Sequence, residues 1–438
     1  MKSAAATEMQ PGESFPIAGP HGLAPADARR KSRIDSVDLL RGLVMVIMLL
    51  DHTRDFVHND VFRFDPTDIT RTYPTLFFTR WITHFCAPIF VFLAGTGSWF
   101  QLARGRSKSD LSRFLVTRGL WLIFLEFTVV RFFAFWEFGI TQFLGGMQVI
   151  WALGWSMIVL AALIHLPLRA IAAFGIAMIV GHNLLDAVTV TPWQGPGTPI
   201  PDIWAKLWII LHQGGFFPAA GFPGPGIFFL YPLIPWIGVM AAGYAFGRIY
   251  DWPIEERRRW LSRWGTGITV GFLLLRATNI YGDPSDWNVR KSVAMTVVSF
   301  FNVQKYPPSL LFLMMTLGPA MLALALWERR RSNSESVAAQ GNFLSRALVT
   351  FGRVPLFFYL LQWPTAHFAG YLLTLLAGKD TWIYFRTPGP GPNVPPNAGF
   401  DLWVVYVAWI AGVVLLYPLC RWYAGVKARR TDWWLSYL

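Results

Sequence analysis

The stretch SVDLLRGLVMVIMLLDHTRDFVHND, from Ser36 to Asp60, has the apolar centre of a transmembrane helix but ends in ionisable side chains. A helix needs about 20 apolar residues to cross a hydrocarbon layer of about 30 Å. Asp51, His52 and Arg54 stand where a lipid-facing helix would carry apolar side chains. Because an ionisable group at membrane depth costs at least about 2.5 kcal/mol, it persists where it is paired or used. The stretch therefore predicts a membrane protein whose first helix faces a polar interior.

The composition of the whole chain is that of a membrane protein. Of its 438 residues, 54% are hydrophobic and 14% are charged, and the mean hydropathy is +0.40. Apolar blocks of about 20 residues recur, as transmembrane helices require. We expect an all-α, polytopic transmembrane helix bundle with about 10 spans (10–11). The predicted spans are 37–57, 76–103, 112–136, 146–166, 168–188, 226–249, 260–281, 308–327, 352–377 and 401–424.

Basic residues fall in short clusters between the apolar blocks. We therefore interpret the formal net charge of +13 as a signal of membrane topology, and expect the lipid bilayer, not nucleic acid, as a partner. Cytosolic loops carry an excess of lysine and arginine. The clusters RRKSR at 29–33 and KARR at 427–430 lie near the two ends of the chain, so both termini are expected in the cytosol.

The chain is expected to contain one membrane domain between two tails. Residues 1–35 are predicted to be a disordered basic cytosolic tail, residues 36–430 a single transmembrane domain, and residues 431–438 a C-terminal tail. Two loop segments, 202–217 and 287–303, are apolar enough to form amphipathic helices at the interface or to re-enter the bundle. Either segment would raise the number of helices to eleven.

Two histidines are expected at matching depth in the membrane. At 1.5 Å per residue, His52 lies about 22 Å along the first helix, and His84 lies about 12 Å into the second span from the opposite side. Asp51 adjoins His52, so the three side chains could meet in one cavity. A lone buried histidine is more often a satisfied hydrogen-bonding group than a catalyst. Two of them with a carboxylate favour a chemical site.

Other motifs favour structure over chemistry. The glycines of LAGTGSW (Leu93–Trp99) are better explained by close helix packing than by phosphate binding. GHNLLD (Gly181–Asp186) is expected at an outer helix end, where polar side chains cap and snorkel at low cost. No metal is expected, because no H-x-x-x-H or H-E-x-x-H pair shares a helix face.

Seven motifs follow one another in the sequence: SVDLLRG, MLLDHTRDF, THFCAPIFVFLAGTG, GHNLLD, YPLIPWIGVMAAGYAFG, KYPPSLLFLMMTLGP and FGRVPLFFYLL. They resemble motifs of the bacterial relatives of the heparan-alpha-glucosaminide N-acetyltransferase catalytic-domain family, over nearly everything from Ser36 to the last span. The resemblance implies a membrane-embedded acyltransferase of the bacterial cytoplasmic (inner) membrane, with cytosolic acetyl-CoA as co-substrate. The acceptor that it implies is an amino sugar or an envelope glycan on the far side of the membrane.

The resemblance makes His52 the candidate for the essential catalytic histidine. It would act as a base or as an acyl carrier, with Asp51 holding the imidazole tautomer and His84 sharing the cavity. His58 lies closer than His52 to the position of the proposed active histidine in the animal lysosomal enzyme. The choice between a covalent histidine and direct transfer in a ternary complex stays open at this point.

Four cations are candidate contacts for the acyl-CoA donor. Arg41 lies nearer the cytosol on the first helix and is expected on the coenzyme side, and a structural ion pair with Asp38 explains it equally well. Arg54 or Arg80 would support the oxyanion or the acceptor. Lys305, at the head of a later span, is a candidate for binding an anionic group.

Two other function classes compete with acyl transfer. In a proton-coupled transporter of a small solute, Asp51, His52 and His84 would form a proton relay. In a scaffold, the polar groups would only lock the bundle, and removing His52 would lower stability without abolishing an activity. The sequence also leaves open whether the chain forms a homodimer.

Overall fold

The computed structural model describes residues 35–136, 143–219, 224–331, 342–385 and 394–438. The chain divides into Met1–Arg33 and Ile34–Leu438, and the predicted N-terminal tail lies outside the described residues except for Asp35. The described residues are mostly helical. Their helices are α1 (Asp35–Val57), α2 (Pro74–Trp81), α3 (Cys86–Ala103), α4 (Lys108–Leu125), α5 (Arg131–Phe135), α6 (Val149–Leu163), α7 (Leu168–Gly181), α8 (Ile203–Trp208), α9 (Leu233–Phe246), α10 (Ile254–Thr278), α11 (Val293–Phe301), α12 (Leu310–Arg331), α13 (Phe343–Arg353), α14 (Pro355–Leu376) and α15 (Leu402–Arg429).

Each of the ten predicted spans contains a helix, so the mostly helical class is confirmed, and the long apolar helices are consistent with a membrane protein. Among the described residues, four helical stretches are long and apolar enough to cross a membrane, and α13 with α14, which are bent by 97° at their junction, would make a fifth. The number of spans, the cytosolic termini and the single domain 36–430 remain predictions. The four stretches are Pro74–Ala103, Leu168–Leu185, Leu310–Glu328 and Leu402–Arg429.

Helix α1 packs against α3, α12, α13, α14 and α15. Most of its residues are buried, including Asp38, Asp51 and Arg54. The expectation that its polar face looks into protein is thereby confirmed. Closeness to α13 is possible only because glycines meet there: a Cβ on Gly42 would lie 1.8 Å from the carbonyl oxygen of Leu348.

A small sheet was not expected from the sequence, and the all-α prediction needs this correction. Strands β1 (Phe143–Met147), β2 (Gly215–Pro218) and β3 (Gly226–Phe229) form it in the order β1-β3-β2. Strand β1 runs parallel to β3, and β2 runs antiparallel to it. Glycine has a low helix propensity. Because β1 contains two glycines and β3 begins with one, the first residues of two predicted spans are extended.

The two apolar loop segments form short helices. Segment 202–217 contains α8 followed by a π-helical turn, Ile209–Gln213, that leads into β2. Segment 287–303 contains α11, which has nine residues. Both helices are far shorter than the about 20 residues that a membrane crossing needs.

The expected helix packing at LAGTGSW is confirmed at one of its two glycines. A Cβ on Gly95 would lie 2.1 Å from the carbonyl oxygen of Met240, so α3 and α9 approach closely there. A Cβ on Gly97 would meet nothing within 4 Å. Only Gly95 is therefore required by the contact between the two helices.

These two glycines provide a matched pair for a stability test. Gly95→Ala should lower the free energy of unfolding by about 1–3 kcal/mol, because the added methyl group overpacks the contact with α9. Gly97→Ala should be neutral or stabilising, since alanine is about 0.5–1 kcal/mol better than glycine inside a helix. Thermal unfolding of both variants in detergent measures the difference. Equal effects would contradict the packing role of Gly95.

Candidate active site

A cavity of about 670 Å³ lies at the end of α1 that carries the ionisable residues. Its walls come from α1, from α2 and the turn after it, from the sheet, from the segment that precedes α12, and from α14. Five of the seven predicted site residues line it. These are Asp51, His52, Arg54, Arg80 and Lys305.

The carboxylate of Asp51 is held by two arginines and a hydroxyl group. Nη1 of Arg80 donates to both Asp51 oxygens at 2.7 Å. Nη2 of Arg54 lies 2.8 Å from Oδ1, and Oγ1 of Thr83 donates to the same oxygen at 2.8 Å. Helical periodicity places Arg54 on the same face of α1 as Asp51, three residues away. The network therefore ties α1 to α2 and the turn that follows α2.

The imidazole of His52 faces Asp55 rather than Asp51. Its Nδ1 lies 3.8 Å from Oδ2 of Asp55, and its ring packs on the indole of Trp363 with 3.7 Å between centroids. Asp55 also accepts a 2.6 Å hydrogen bond from Arg54. Asp55 can therefore orient and stabilise a protonated His52, a role that the sequence analysis assigned to Asp51.

Lys305 lines the same cavity. Its ammonium group forms no ion pair within the described part of the chain. Asp283 holds the segment that carries Lys305 in place. Its Oδ2 accepts hydrogen bonds from the backbone N of Gln304 at 2.8 Å and from Oγ of Ser309 at 2.6 Å. Arg276, 3.8 Å from Asp283, compensates that carboxylate. Lys305 itself is 8% exposed, so a polar ligand in the cavity would meet a largely desolvated ammonium group.

His84 and Arg41 do not line the cavity. His84 is fully buried beside Phe312, with 5.4 Å between ring centroids. Nη1 of Arg41 donates to Asp38 at 2.9 Å and to the carbonyl oxygen of Gly352 at 3.1 Å. The structural ion pair that was the alternative for Arg41 is therefore present, and it ties α1 to α13. A contact between Arg41 and the coenzyme stays a prediction.

Several residues that line the cavity were not predicted from the sequence. Asp55 could have been found, because it lies three residues after His52 and so shares its helix face. Tyr306 and Trp363 also line the cavity, but aromatic residues are so frequent in this chain that no signal marked them. The sheet contributes Phe216 and Phe228. Its strands were not predicted, because their sequences do not alternate between apolar and polar residues.

His58 lies outside the cavity and has structural partners. Its Nδ1 accepts from the backbone N of Asp60 at 3.0 Å, and its Nε2 lies 3.3 Å from the hydroxyl group of Tyr73. Its backbone pairs with Phe400 in an isolated bridge. Both ring nitrogens are thus used to hold the loop after α1, which favours His52 over His58 as a reacting group.

The fold and the cavity define a helical membrane protein with a buried charged site. The chain belongs to the family described as heparan-alpha-glucosaminide N-acetyltransferase, catalytic, whose model matches residues 33–282. A comparison with curated proteins gives no match. Membership in the family indicates a membrane acetyltransferase or a related acyltransferase. The matched range includes Asp51, His52 and Arg80, whereas Lys305 and Trp363 lie beyond it.

The Asp51 network predicts a large cost for removing its carboxylate. Asp51→Asn should lower the free energy of unfolding by about 3–5 kcal/mol, because it leaves buried guanidinium groups without their counterion. The double variant Asp51→Asn, Arg80→Gln should lose less than the sum of the two single variants. Thermal unfolding in detergent tests both statements, with Glu256→Gln, at an exposed position on α10, as the control. An unchanged Asp51→Asn protein would contradict the network's role.

The buried His58 predicts a dependence of stability on pH. Burial lowers the pKa of this histidine from 6.5 to about 4. As pH falls from 6.5 to about 4, the unfolded chain binds a proton at His58 that the folded chain does not, so stability is lost across this window. The melting temperature of the wild type should fall more steeply there than that of His58→Asn. Parallel curves would be the contrary result, and the exposed His165→Asn serves as the control.

Proposed function

We propose that this protein transfers an acetyl or similar acyl group from acyl-CoA to an amino sugar or envelope glycan on the far side of the membrane. The observation that carries the proposal is the cavity in which the His52 imidazole shares one space with Lys305 and Arg54. Family membership supports the reaction class. The donor, the acceptor and the role of the histidine are inferences from the chemistry of this cavity.

Direct transfer requires a base for the acceptor and a counter-charge for the oxyanion. Neutral His52 would take a proton from the acceptor amine or hydroxyl group as that group attacks the thioester carbonyl. Asp55, 3.8 Å from Nδ1, would stabilise the resulting imidazolium ion. When the tetrahedral intermediate collapses, the C–S bond breaks and the imidazolium returns its proton to the departing CoA thiolate.

The same residues also allow a covalent route. Here a nitrogen of His52 would attack the thioester carbonyl and release the CoA thiolate, which leaves an acyl-imidazole. The proton of the attacking imidazole would pass to the CoA thiolate. The acceptor would then attack this intermediate, and its proton would pass to the imidazole that is released. The covalent route places His52 at the reacting carbonyl carbon, and direct transfer places it beside the acceptor atom that attacks this carbon. In both routes a cation near the carbonyl oxygen would stabilise the oxyanion.

Lys305 fits the role of stabilising the oxyanion best. The guanidinium groups of Arg54 and Arg80 are already paired with Asp51, so much of their charge is compensated. The ammonium group of Lys305 has no such partner among the described residues, and its low exposure strengthens its interaction with a developing negative charge. The two arginines would instead keep α1 in place and leave His52 facing the cavity.

The proposal predicts the effect of removing His52 on turnover. Purified protein in detergent is given radiolabelled acetyl-CoA with and without glucosamine, and free CoA is measured. His52→Ala should lower CoA release by about 100-fold or more, since general acid–base catalysis typically contributes 10²–10⁴-fold. His165→Ala, at an exposed histidine outside the cavity, should leave the rate unchanged.

A fold control separates catalysis from stability in this experiment. All variants must elute as the wild type does in size-exclusion chromatography and show the same melting temperature. A folded His52→Ala protein with wild-type CoA release would contradict the role of His52. A wild type that neither binds nor turns over acetyl-CoA with any amino-sugar acceptor would instead favour proton-coupled transport.

A further inference from the structure

Three side chains that could bind a metal ion converge away from the cavity. His182 and Asp186 lie in and just after the short 3₁₀ turn that follows α7, and His212 lies in the π-helical turn before β2. One ligand atom from each of them lies within 4.8 Å of the other two. His182 and His212 are buried, at 2% and 3% exposure.

The surroundings of His182 are unusual for a buried histidine. Neither of its ring nitrogens has a hydrogen-bond partner in the described part of the chain. The backbone carbonyl group of Pro308 is close enough to form a weak hydrogen bond with the ring, but that contact falls short of good hydrogen-bond geometry and could serve one of the two nitrogens only. Leaving a buried polar group unsatisfied costs about 1–3 kcal/mol, so this side chain calls for a partner.

A purely structural explanation accounts for the other two residues. Nε2 of His212 lies 3.0 Å from the carbonyl oxygen of His182 and 3.5 Å from Oδ1 of Asp186. A neutral His212 can therefore donate its N–H to one of these oxygens with no metal present. That explanation leaves at least one ring nitrogen of His182 without a partner among the described residues, although its ring lies 5.9 Å from the His212 ring between centroids.

We propose that His182, Asp186 and His212 bind one divalent transition-metal ion, with Zn²⁺ as the best fit. Two imidazoles and a carboxylate are a common zinc ligand set, and the same donors also suit Fe²⁺. The three ligand atoms lie at most 4.8 Å apart, so a central ion would lie no more than about 2.8 Å from each of them, and Zn²⁺ needs about 2.0–2.2 Å. The ligands have to close by less than about 1 Å, which side-chain rotation supplies.

The atoms around the three ligands resemble the second shell of a metal site. Nδ2 of Asn183 donates to Oδ2 of Asp186 at 2.7 Å, which holds this carboxylate and leaves Oδ1 for another ligand. Metal-bound histidines generally donate their second N–H to a backbone carbonyl group, and the Pro308 carbonyl lies beside His182. Asn183 also accepts from the backbone N of Leu310 at 2.9 Å, so the site borders the start of α12.

A metal at this position would join the end of α7 to the segment that leads into β2. His212 lies three residues before Gly215, and Phe216 of the same strand lines the cavity of the candidate active site. The ion would hold that wall in place and takes no part in acyl transfer. The metal proposal therefore does not depend on the proposed reaction.

The test is metal content in protein that carries no affinity tag, because a histidine tag binds zinc by itself. Protein dialysed with Zn²⁺ and then freed of unbound ion should retain about one Zn²⁺ per chain by mass spectrometry of the elements. His182→Asn and Asp186→Asn should each lower zinc affinity at least about 10-fold. His165→Asn, at the exposed histidine, should bind as the wild type does. Co²⁺ substitution should give visible d–d absorption that both ligand variants lose.

Two variants keep the proposal falsifiable if one of them does not fold. Asp186→Asn retains the shape of the side chain and an oxygen for Asn183, so it is the variant expected to fold best. Retention of Fe²⁺ instead of Zn²⁺ with the same dependence on His182 and Asp186 would support the site and change the metal. Wild-type protein that retains neither ion, or a folded Asp186→Asn protein that binds like the wild type, would overturn the proposal.

Discussion

The buried carboxylate of Asp51 is the constraint on which the arrangement of the site depends. A lone charge in a membrane domain is expensive, so Asp51 requires Arg54 from its own helix and Arg80 from α2. These contacts fix the rotation of α1 about its axis. Because successive residues of a helix are separated by about 100°, His52 then points away from α2 and onto Trp363 of α14. The position of the candidate catalytic group follows from the pairing of its neighbour.

The helical elements and much of the cavity could be predicted from the sequence. Apolar blocks of about 20 residues located the helices, and ionisable residues inside them marked the interior. The rise of a helix placed Asp51 and His52 at the correct end of α1, and both line the cavity with Arg80. The depth of a residue in the membrane does not tell which way its side chain faces. His84 is expected at the depth of His52, but it does not line the cavity. The family resemblance was confirmed over residues 33–282.

The remaining features depend on contacts between distant segments. The three strands lie in segments that begin or border predicted helices. They are rich in glycine, and their sequences do not alternate between apolar and polar residues, which is the usual sign of a strand. The proposed metal ligands come from two segments separated by about 30 residues, and His182 and His212 come together because α7 and the turn before β2 both pack against α9. A search for ligand spacing on one helix face could not have found them. Asp55 is different, because its spacing of three residues from His52 could have identified it as the carboxylate partner of this histidine. The adjacent Asp51 was predicted in that role instead.

The most direct test of the account is an experimental structure with a non-hydrolysable acetyl-CoA analogue in which a methylene group replaces the thioester sulfur. The covalent route predicts that the carbonyl carbon of the analogue lies within about 3.5 Å of a ring nitrogen of His52, a near-attack distance. Direct transfer predicts a separation of about 5–6 Å, with room for the acceptor atom between them. The carbonyl oxygen of the analogue should lie within hydrogen-bonding distance of Nζ of Lys305. An acyl group bound outside the cavity formed by α1, α2, α14 and the sheet would contradict the central claim.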